Sequence, residues 1–210
     1  MCSRRKFLLF ASAASIAVIC PALAASNSAL GKYNGRIVAE WLDDHRKMRL
    51  LEPFEFIAPD LKRWPVPELT IVDGASIPQV FWSLIGGPFE GAYRSASVIH
   101  DFYCQTRTRK YEEVHKVFFE GMKASGVDSI KARLMYEAVL RFGPSWDDPK
   151  IDPDCEIIDE SYDFNKCSKN SQIPPLRTVE ITNENLSAFI ADIENYADAE
   201  DIRKLRKLLK

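Results

Sequence analysis

The sequence predicts an α+β fold, in which a small antiparallel sheet from the N-terminal half packs on a helical hairpin and a third helix. Residues 36–72 alternate polar and apolar side chains as strands do, whereas residues 93–142 repeat their apolar side chains at helical spacing. In addition, 46% of the 210 residues are hydrophobic, which is enough for a folded core. At this length we expect one core domain, followed by an irregular loop and C-terminal helices.

The first 24 residues are expected to be a cleaved signal peptide. Basic residues at positions 4–6 precede an apolar run too short to span a membrane, and the small-x-small sequence at 22–24 is typical of a cleavage site. Residues 3–8, Ser-Arg-Arg-Lys-Phe-Leu, are similar to the twin-arginine export motif, with an ordinary Sec signal as the alternative. We therefore expect a periplasmic or secreted protein with no transmembrane helix in the mature chain, and with residues 25–34 as a flexible lead-in.

The alternation in the first half of the mature chain predicts four short strands. Prolines at positions 53, 59, 65 and 67 fall between them and are expected at edge or loop positions. Asp73-Gly74 predicts a turn, and the glycines between positions 86 and 91 predict a loop that a substrate could approach closely. The predicted strands cover residues 36–42, 47–51, 54–58 and 69–72.

Helical periodicity predicts three helices in the second half of the core domain, at residues 93–105, 112–125 and 129–142. Asp128 is expected to cap the third helix at its N-terminus. Residues 183–210 predict a C-terminal helical segment, whose last part is amphipathic and basic. Such a basic helix is typical either of a solvated surface or of contact with anionic lipid.

Cysteine usage fits an oxidising compartment. Cys155 and Cys167 flank an irregular polar stretch within residues 147–182, and a disulfide between them would close a short loop. Cys104 is then left over, and we expect it to be a buried thiol that packs as a small hydrophobic side chain.

The candidate site is a His100-Asp101 dipeptide inside an apolar helix. An imidazole and a carboxylate are costly to bury there unless each is paired. Ser97, His100 and Cys104 share one helical face, and an antiparallel hairpin would bring His115 of the next helix opposite His100.

Two kinds of site fit these residues, together with Asp73 in the turn before the helices. In one, His100 takes a proton from water in a hydrolytic reaction, and Asp101 is the second catalytic residue. In the other, a divalent metal is held by some of Asp73, His100, Asp101 and His115. A third interpretation is a structural polar network, in which Asp101 pairs with Arg94 or Arg141.

Ordered motifs along the chain resemble the bacterial and phage family catalogued as domain of unknown function 1353. The motifs are DGASIP (73–78), HDFYC (100–104), VHKVFFEGMKASGV (114–127) and YEAVLRFGPSW (136–146). The resemblance covers residues 45–146, within an expected core domain of 35–146, and it makes Ser76 and Tyr93 supporting residues of the site. Two departures stand out. Cys104 occupies the position of a family tyrosine, and His115 stands where the family usually has an aspartate.

A more distant similarity is to secretory phospholipases of the A type, which also place a His-Asp dipeptide on one helix of a pair. That similarity implies His100 as the base and Asp101 as a calcium ligand. The metal is therefore expected to be zinc or calcium.

Together these features predict an exported cell-envelope protein that acts as a metal-assisted hydrolase. Phospholipid, peptidoglycan or a protein is its expected partner, whereas the formal net charge of −2 argues against nucleic acid. The alternative is a non-catalytic binding or structural protein whose His-Asp motif is a buried polar network.

Overall fold

The computed structural model describes residues 29–74, 77–82, 86–87, 89–150 and 173–209. The expected signal peptide, Ser76 and the expected Cys155–Cys167 disulfide lie outside these residues.

The strands form two three-stranded antiparallel sheets, where the sequence predicted one. The first sheet has the order β1-β4-β5 and the second β2-β3-β6. The α+β class is thus confirmed, with its β part divided in two. The strands are β1 (Lys32–Asn34), β2 (Ala39–Trp41), β3 (Met48–Leu50), β4 (Phe54–Ile57), β5 (Arg63–Val66) and β6 (Ile71–Val72).

Two of these strands were not predicted. Residues 32–34, expected to be flexible, form β1 because Tyr33 pairs with Phe56 and stacks on Phe54 with 5.4 Å between ring centroids. Strand β5 was not predicted because it contains Pro65, which has no N–H to donate to a sheet. β5 lies at the edge of its sheet, where a proline is tolerated.

In the part of the chain that the structure describes, five α-helices follow the sheets, and the first three lie within two residues of their predicted ends. The helix at residues 129–142 has the bounds that the periodicity predicted. Gly126, with φ at +76°, separates the second and third helices in a backbone conformation that favours glycine. The helices are α1 (Arg94–Thr106), α2 (Tyr111–Ala124), α3 (Ser129–Phe142), α4 (Asn183–Ile193) and α5 (Ala199–Arg206).

The core consists of two hydrophobic clusters. In one, both sheets pack on α1 and α2 through residues such as Phe56, Trp64 and Tyr103. In the other, α2 and α3 pack on the C-terminal helices through residues such as Phe142 and Phe189. Helices α1 and α2 therefore lie between the sheets and the remaining helices. No helix within the ranges described is both long and apolar enough to cross a membrane.

The N-terminus of α3 offers a simple test of this fold. The Asp128 carboxylate accepts hydrogen bonds from the backbone N–H groups of Ile130 and Lys131, at 2.9 and 3.1 Å. Asp128→Ala is expected to lower the free energy of unfolding by about 1 kcal/mol, whereas Asp128→Asn keeps the capping oxygen and most of the stability. Urea denaturation of both variants measures the difference. Equal losses in the two variants would contradict a capping role.

Candidate functional site

Two imidazoles meet in the middle of the helical hairpin. His100 on α1 and His115 on α2 approach until His100 Nε2 and His115 Nδ1 are 2.8 Å apart. Their exposed fractions are 0% and 1%. The predicted pairing of the two histidines across the hairpin is therefore present in the structure, and both rings are buried.

The backbone after α3 determines which nitrogen of His115 carries a proton. His115 Nε2 lies 3.1 Å from the carbonyl oxygen of Pro144, which can only accept a hydrogen bond, so Nε2 carries the hydrogen. Nδ1 of the neutral ring then has a free electron pair, and it accepts the N–H of His100 Nε2. His115 is thus oriented by a backbone carbonyl, in the same way as most histidines that bind metals in proteins.

Cys104 completes a group of three potential metal ligands. It lies one helical turn after His100, and its Sγ is 3.6 Å from His100 Nε2 and 3.8 Å from Nδ1. Three ligand atoms lie within 4.8 Å of one another, one each from His100, Cys104 and His115. All three residues are buried, and the sulfur belongs to the side chain that lies nearest to solvent.

These separations resemble those of a zinc site. Tetrahedral zinc with ordinary bond lengths places a sulfur and a nitrogen ligand about 3.6 Å apart, and two nitrogen ligands about 3.3 Å apart. The Cys104 sulfur already lies at the first distance from His100 Nε2. The two imidazole nitrogens need to separate by about half an ångström to reach the second. Small rotations of the two rings are enough for this change.

The surroundings keep both imidazoles neutral. Burial lowers the pKa of His115 to about 4, against the opposing effect of its hydrogen bond to Pro144. Burial, and then the neighbouring His115, hold the pKa of His100 well below its ordinary value. Neutral imidazole is the form that binds metal ions, so the pair is in a ligating state at neutral pH.

The two acids of the predicted site form a separate pair. Asp101 Oδ2 accepts hydrogen bonds from the backbone N–H of Asp73 at 2.8 Å and from Gln105 Nε2 at 2.9 Å. Burial and then the charge of Asp73 raise the pKa of Asp101 well above its ordinary value, and a side-chain hydrogen bond joins the two carboxyl groups. A shift in this direction favours the protonated carboxyl group, which is the form that can donate a proton.

A groove of about 520 Å³ has Cys104 and both acids in its wall. Neither imidazole is part of that wall, and both are buried. The predicted set of four is therefore divided into an imidazole pair and a carboxyl pair, with Cys104 as the additional ligand candidate. The wall of the groove consists of Lys47, Ile71, Asp73, Asp101, Cys104, Gln105, Arg107, Pro144 and Leu176.

The predicted pairing of Asp101 with Arg94 or Arg141 is wrong. Arg141 extends instead from α3 to α4 and pairs with Asp192 at 2.6 Å, because the C-terminal helices pack on that side of α3. Arg94 donates from Nε to the carbonyl oxygen of Phe89 at 2.8 Å. Asp101 is partnered by Asp73 and Gln105 instead, which places it at the groove.

Tyr93, the other supporting residue, is buried at the start of α1. Its hydroxyl donates a hydrogen bond to the carbonyl oxygen of Gly87. Burial, followed by the charge of Glu90, raises its pKa to about 12, so the hydroxyl keeps its proton at neutral pH. Tyr93 therefore anchors the glycine loop and does not enter the cluster of His100, Cys104 and His115.

The family comparison matches the central part of the chain. Residues 48–139 match the family of proteins of unknown function DUF1353. The match confirms the resemblance that the motifs predicted. All three residues of the His-Cys-His cluster, and both members of the acid pair, lie within the DUF1353 range.

Two curated relatives come from Sinorhizobium fredii. One, named uncharacterized protein y4jT, is 49% identical over 118 residues, which are 55% of this chain and 35% of the relative. The other, uncharacterized protein y4iH, is 45% identical over 83 residues, which are 40% of this chain and 35% of the relative. The chain thus spans about a third of the length of each relative. No solved structure matches the chain.

Proposed function

We propose that this protein is a zinc-dependent hydrolase in which His100, Cys104 and His115 hold the metal. The observation that carries the proposal is the convergence of three ligand atoms within 4.8 Å, one of them from Cys104, which is part of the wall of a groove. Two nitrogens and one sulfur favour zinc, whereas calcium takes oxygen ligands. The calcium suggested by the similarity to phospholipases therefore has less support than zinc.

The site supplies three protein ligands, and catalytic zinc sites commonly have three, with the fourth position left for water. Zinc held by His100, Cys104 and His115 would lower the pKa of a bound water toward about 7, and such a water would be a nucleophile at neutral pH. The groove beside Cys104 gives a substrate a route to that position. The chain therefore offers both a metal set and access to it.

Asp101 is the proposed general acid of the reaction. Its raised pKa favours the protonated carboxyl group, and Asp101 lies in the groove wall, where a bound substrate would meet it. The backbone N–H of Asp73 donates to Asp101 Oδ2 at 2.8 Å and so positions that carboxyl group. His115, fixed by the Pro144 carbonyl, holds its ring in the ligating orientation.

We also propose that the protein acts in the cell envelope after export by the twin-arginine pathway. The Ser-Arg-Arg-Lys-Phe-Leu sequence at residues 3–8 supports this route. That pathway moves folded proteins, often with a cofactor already bound, which suits a buried metal site. Metal coordination would also protect the Cys104 thiolate from oxidation in that compartment.

A buried polar network is the second candidate, and a specific observation favours it. Both imidazoles are buried and already bonded, His115 to the Pro144 carbonyl and His100 to His115. In that case the cluster would hold α1, α2 and the segment after α3 together without metal. Loss of one imidazole would then cost about 1–3 kcal/mol of stability, because its partner would be left unpaired.

Zinc content and hydrolysis, measured on the same preparations, test the proposal. Protein purified without chelator is expected to contain one zinc per chain by mass spectrometry, and to hydrolyse at least one of a panel of chromogenic esters, anilides, glycosides and phosphodiesters. Asp101→Asn is expected to keep the zinc and lose about 100-fold or more in rate, because the amide cannot donate the acid's proton.

The control is Leu61→Ala, because Leu61 is 66% exposed and lies outside the groove wall. It is expected to keep both the zinc and most of the rate. A protein that contains no zinc, and whose melting temperature is the same with and without chelator, would leave the polar network as the better interpretation. Zinc without hydrolysis of any substrate class would make the metal structural.

A further inference from the structure

A second groove, of about 510 Å³, lies beside the first, and Asp73 is part of the wall of both. We propose that this second groove binds an uncharged saccharide chain, which the proposed hydrolase takes as its substrate. The inference rests on the proposed function, because it names the substrate class of the same site. The volume of the second groove is within the range of sites that bind small ligands.

An exposed tryptophan on the groove is the first reason. Trp41 on β2 is 58% exposed, although it is one of the largest apolar side chains. Phe89 holds it in a T-shaped contact, with ring centroids 5.7 Å apart and an angle of 83° between the rings. An aromatic side chain held in place at a surface offers a large, rigid contact area at low entropic cost. The apolar C–H face of a pyranose ring is a natural partner for such a surface.

The polar side chains in the same wall are the second reason. Arg46 offers donors, Glu90 offers acceptors, and Gln79 offers both. Sugar hydroxyls both donate and accept hydrogen bonds, so they can use all three. Because the wall carries both a cationic side chain, Arg46, and acidic ones, Asp73 and Glu90, it has no strong excess of either charge, which suits an uncharged ligand.

The groove wall is held in shape by internal hydrogen bonds, which is the third reason. The Gly87 N–H donates to Glu90 Oε2 at 3.0 Å, and the Gly87 carbonyl accepts from the Tyr93 hydroxyl. Trp82 donates from Nε1 to the Ile77 carbonyl at 3.1 Å, which fixes the second tryptophan of the groove. A wall that is ordered before the ligand arrives loses less entropy on binding.

Asp73 is part of the wall of both grooves, and its backbone N–H donates to Asp101 Oδ2 at 2.8 Å. A chain that is bound along Trp41 and passes Asp73 would therefore reach the proposed general acid. This arrangement gives Trp41 the role of a binding residue at a distance from the reacting bond. It predicts that a longer saccharide binds more tightly than a single sugar.

Isothermal titration calorimetry on the full chain, loaded with zinc, tests the inference. The probes are tetra-N-acetylchitotetraose and cellotetraose, which differ in their N-acetyl groups. We expect at least one of them to bind, and Trp41→Ala to weaken that binding about tenfold or more. Leu61→Ala is the matched control, because Leu61 is 66% exposed and lies outside the groove, and it is expected to bind as the wild type does.

The result separates this inference from the proposed function. Cys104→Ser is expected to lose zinc and still bind the saccharide, because Cys104 is not in the wall of the second groove. If neither saccharide binds, or if Trp41→Ala binds as the wild type does, the saccharide proposal is overturned even where zinc content and hydrolysis stand. If the wild-type chain, purified without chelator, contains no zinc and still binds the saccharide, the groove is supported and only the proposed metal chemistry is contradicted.

Discussion

Cys104→Ser is expected to lower the affinity for zinc by about 100-fold or more. Replacing a residue that only orients a ligand commonly costs 10–100-fold in metal affinity, and the loss of a thiolate ligand is expected to cost at least as much. Serine retains the size of the side chain, so the hairpin is expected to fold. Because the thiolate is the softest of the three ligands, the loss should be greater for zinc than for magnesium, which prefers oxygen.

Competition with a chromogenic zinc chelator measures this change directly. Gln105→Ala is the matched control, since residue 105 is next to Cys104 and lines the same groove but contributes no atom to the cluster. Its zinc affinity is expected to equal that of the wild type. If Cys104→Ser and the wild type bound zinc equally, Cys104 would not be a ligand, and its contact with His100 would be packing alone.

The loss of zinc binding in Cys104→Ser should also lower the stability that zinc gives the folded protein. A ligand that binds only the folded protein stabilises it by about 2.7 kcal/mol when present at 100 times its dissociation constant. The wild type is therefore expected to melt at a higher temperature with zinc than with chelator, whereas the two curves of Cys104→Ser should nearly coincide. Melting curves that do not respond to chelator in the wild type would favour the metal-free polar network.

Local patterns allowed the helices to be predicted well. In α3 the apolar repeat, the capping Asp128 and the terminal Gly143 all agree, and its two ends were predicted correctly. Strands β1 and β5 were missed because their signals are not local. Tyr33 is held by aromatic rings of β4, and Pro65 is tolerated because, among the described residues, β5 pairs with a strand on one side only.

The site could be predicted only in part, for the same reason. A hairpin with His100 and His115 on facing helices follows from spacing, and the structure has that pair. The spacing of four residues also placed Cys104 on the face of His100. The sequence did not predict that a ligand atom from each of the two rings would lie within 4.8 Å of the Cys104 sulfur. The separation of Asp73 and Asp101 from the imidazoles depends on how the turn after β6 packs on α1, which is a tertiary contact.

Cys104 and His115 were also the two departures from the pattern of the family that the chain resembles. In the structure these two residues belong to one cluster with His100. Where the family has the oxygen-bearing side chains of a tyrosine and an aspartate, this chain has the sulfur of Cys104 and the nitrogens of His115. This change would shift the metal preference of the cluster toward zinc. The two residues that depart from the family pattern, Cys104 and His115, are thus the ones that support a zinc site in this chain.

The buried imidazoles are expected to make the metal-free protein lose stability as the pH falls from about 6.5 to about 4. Burial lowers the pKa of His115 to about 4 in the folded protein, whereas an unfolded histidine titrates near 6.5. Between these values the unfolded state binds more protons, so stability is fully present above about 6.5 and is lost as the pH falls. The difference for His115 alone corresponds to about 3 kcal/mol, and the lowered pKa of His100 acts in the same direction.

Urea denaturation in the presence of chelator, at pH values from 7 to 4.5, measures this slope. His115→Asn replaces the ring by a side chain that does not titrate in this range, so its stability is expected to be lower at pH 7 but to depend less on pH. His45→Asn is the matched control, because His45 is exposed and lies outside the cluster, and it is expected to keep the wild-type slope. A wild-type slope that His115→Asn leaves unchanged would mean that the acid sensitivity comes from carboxyl groups, and that the imidazole pair is not held neutral by burial.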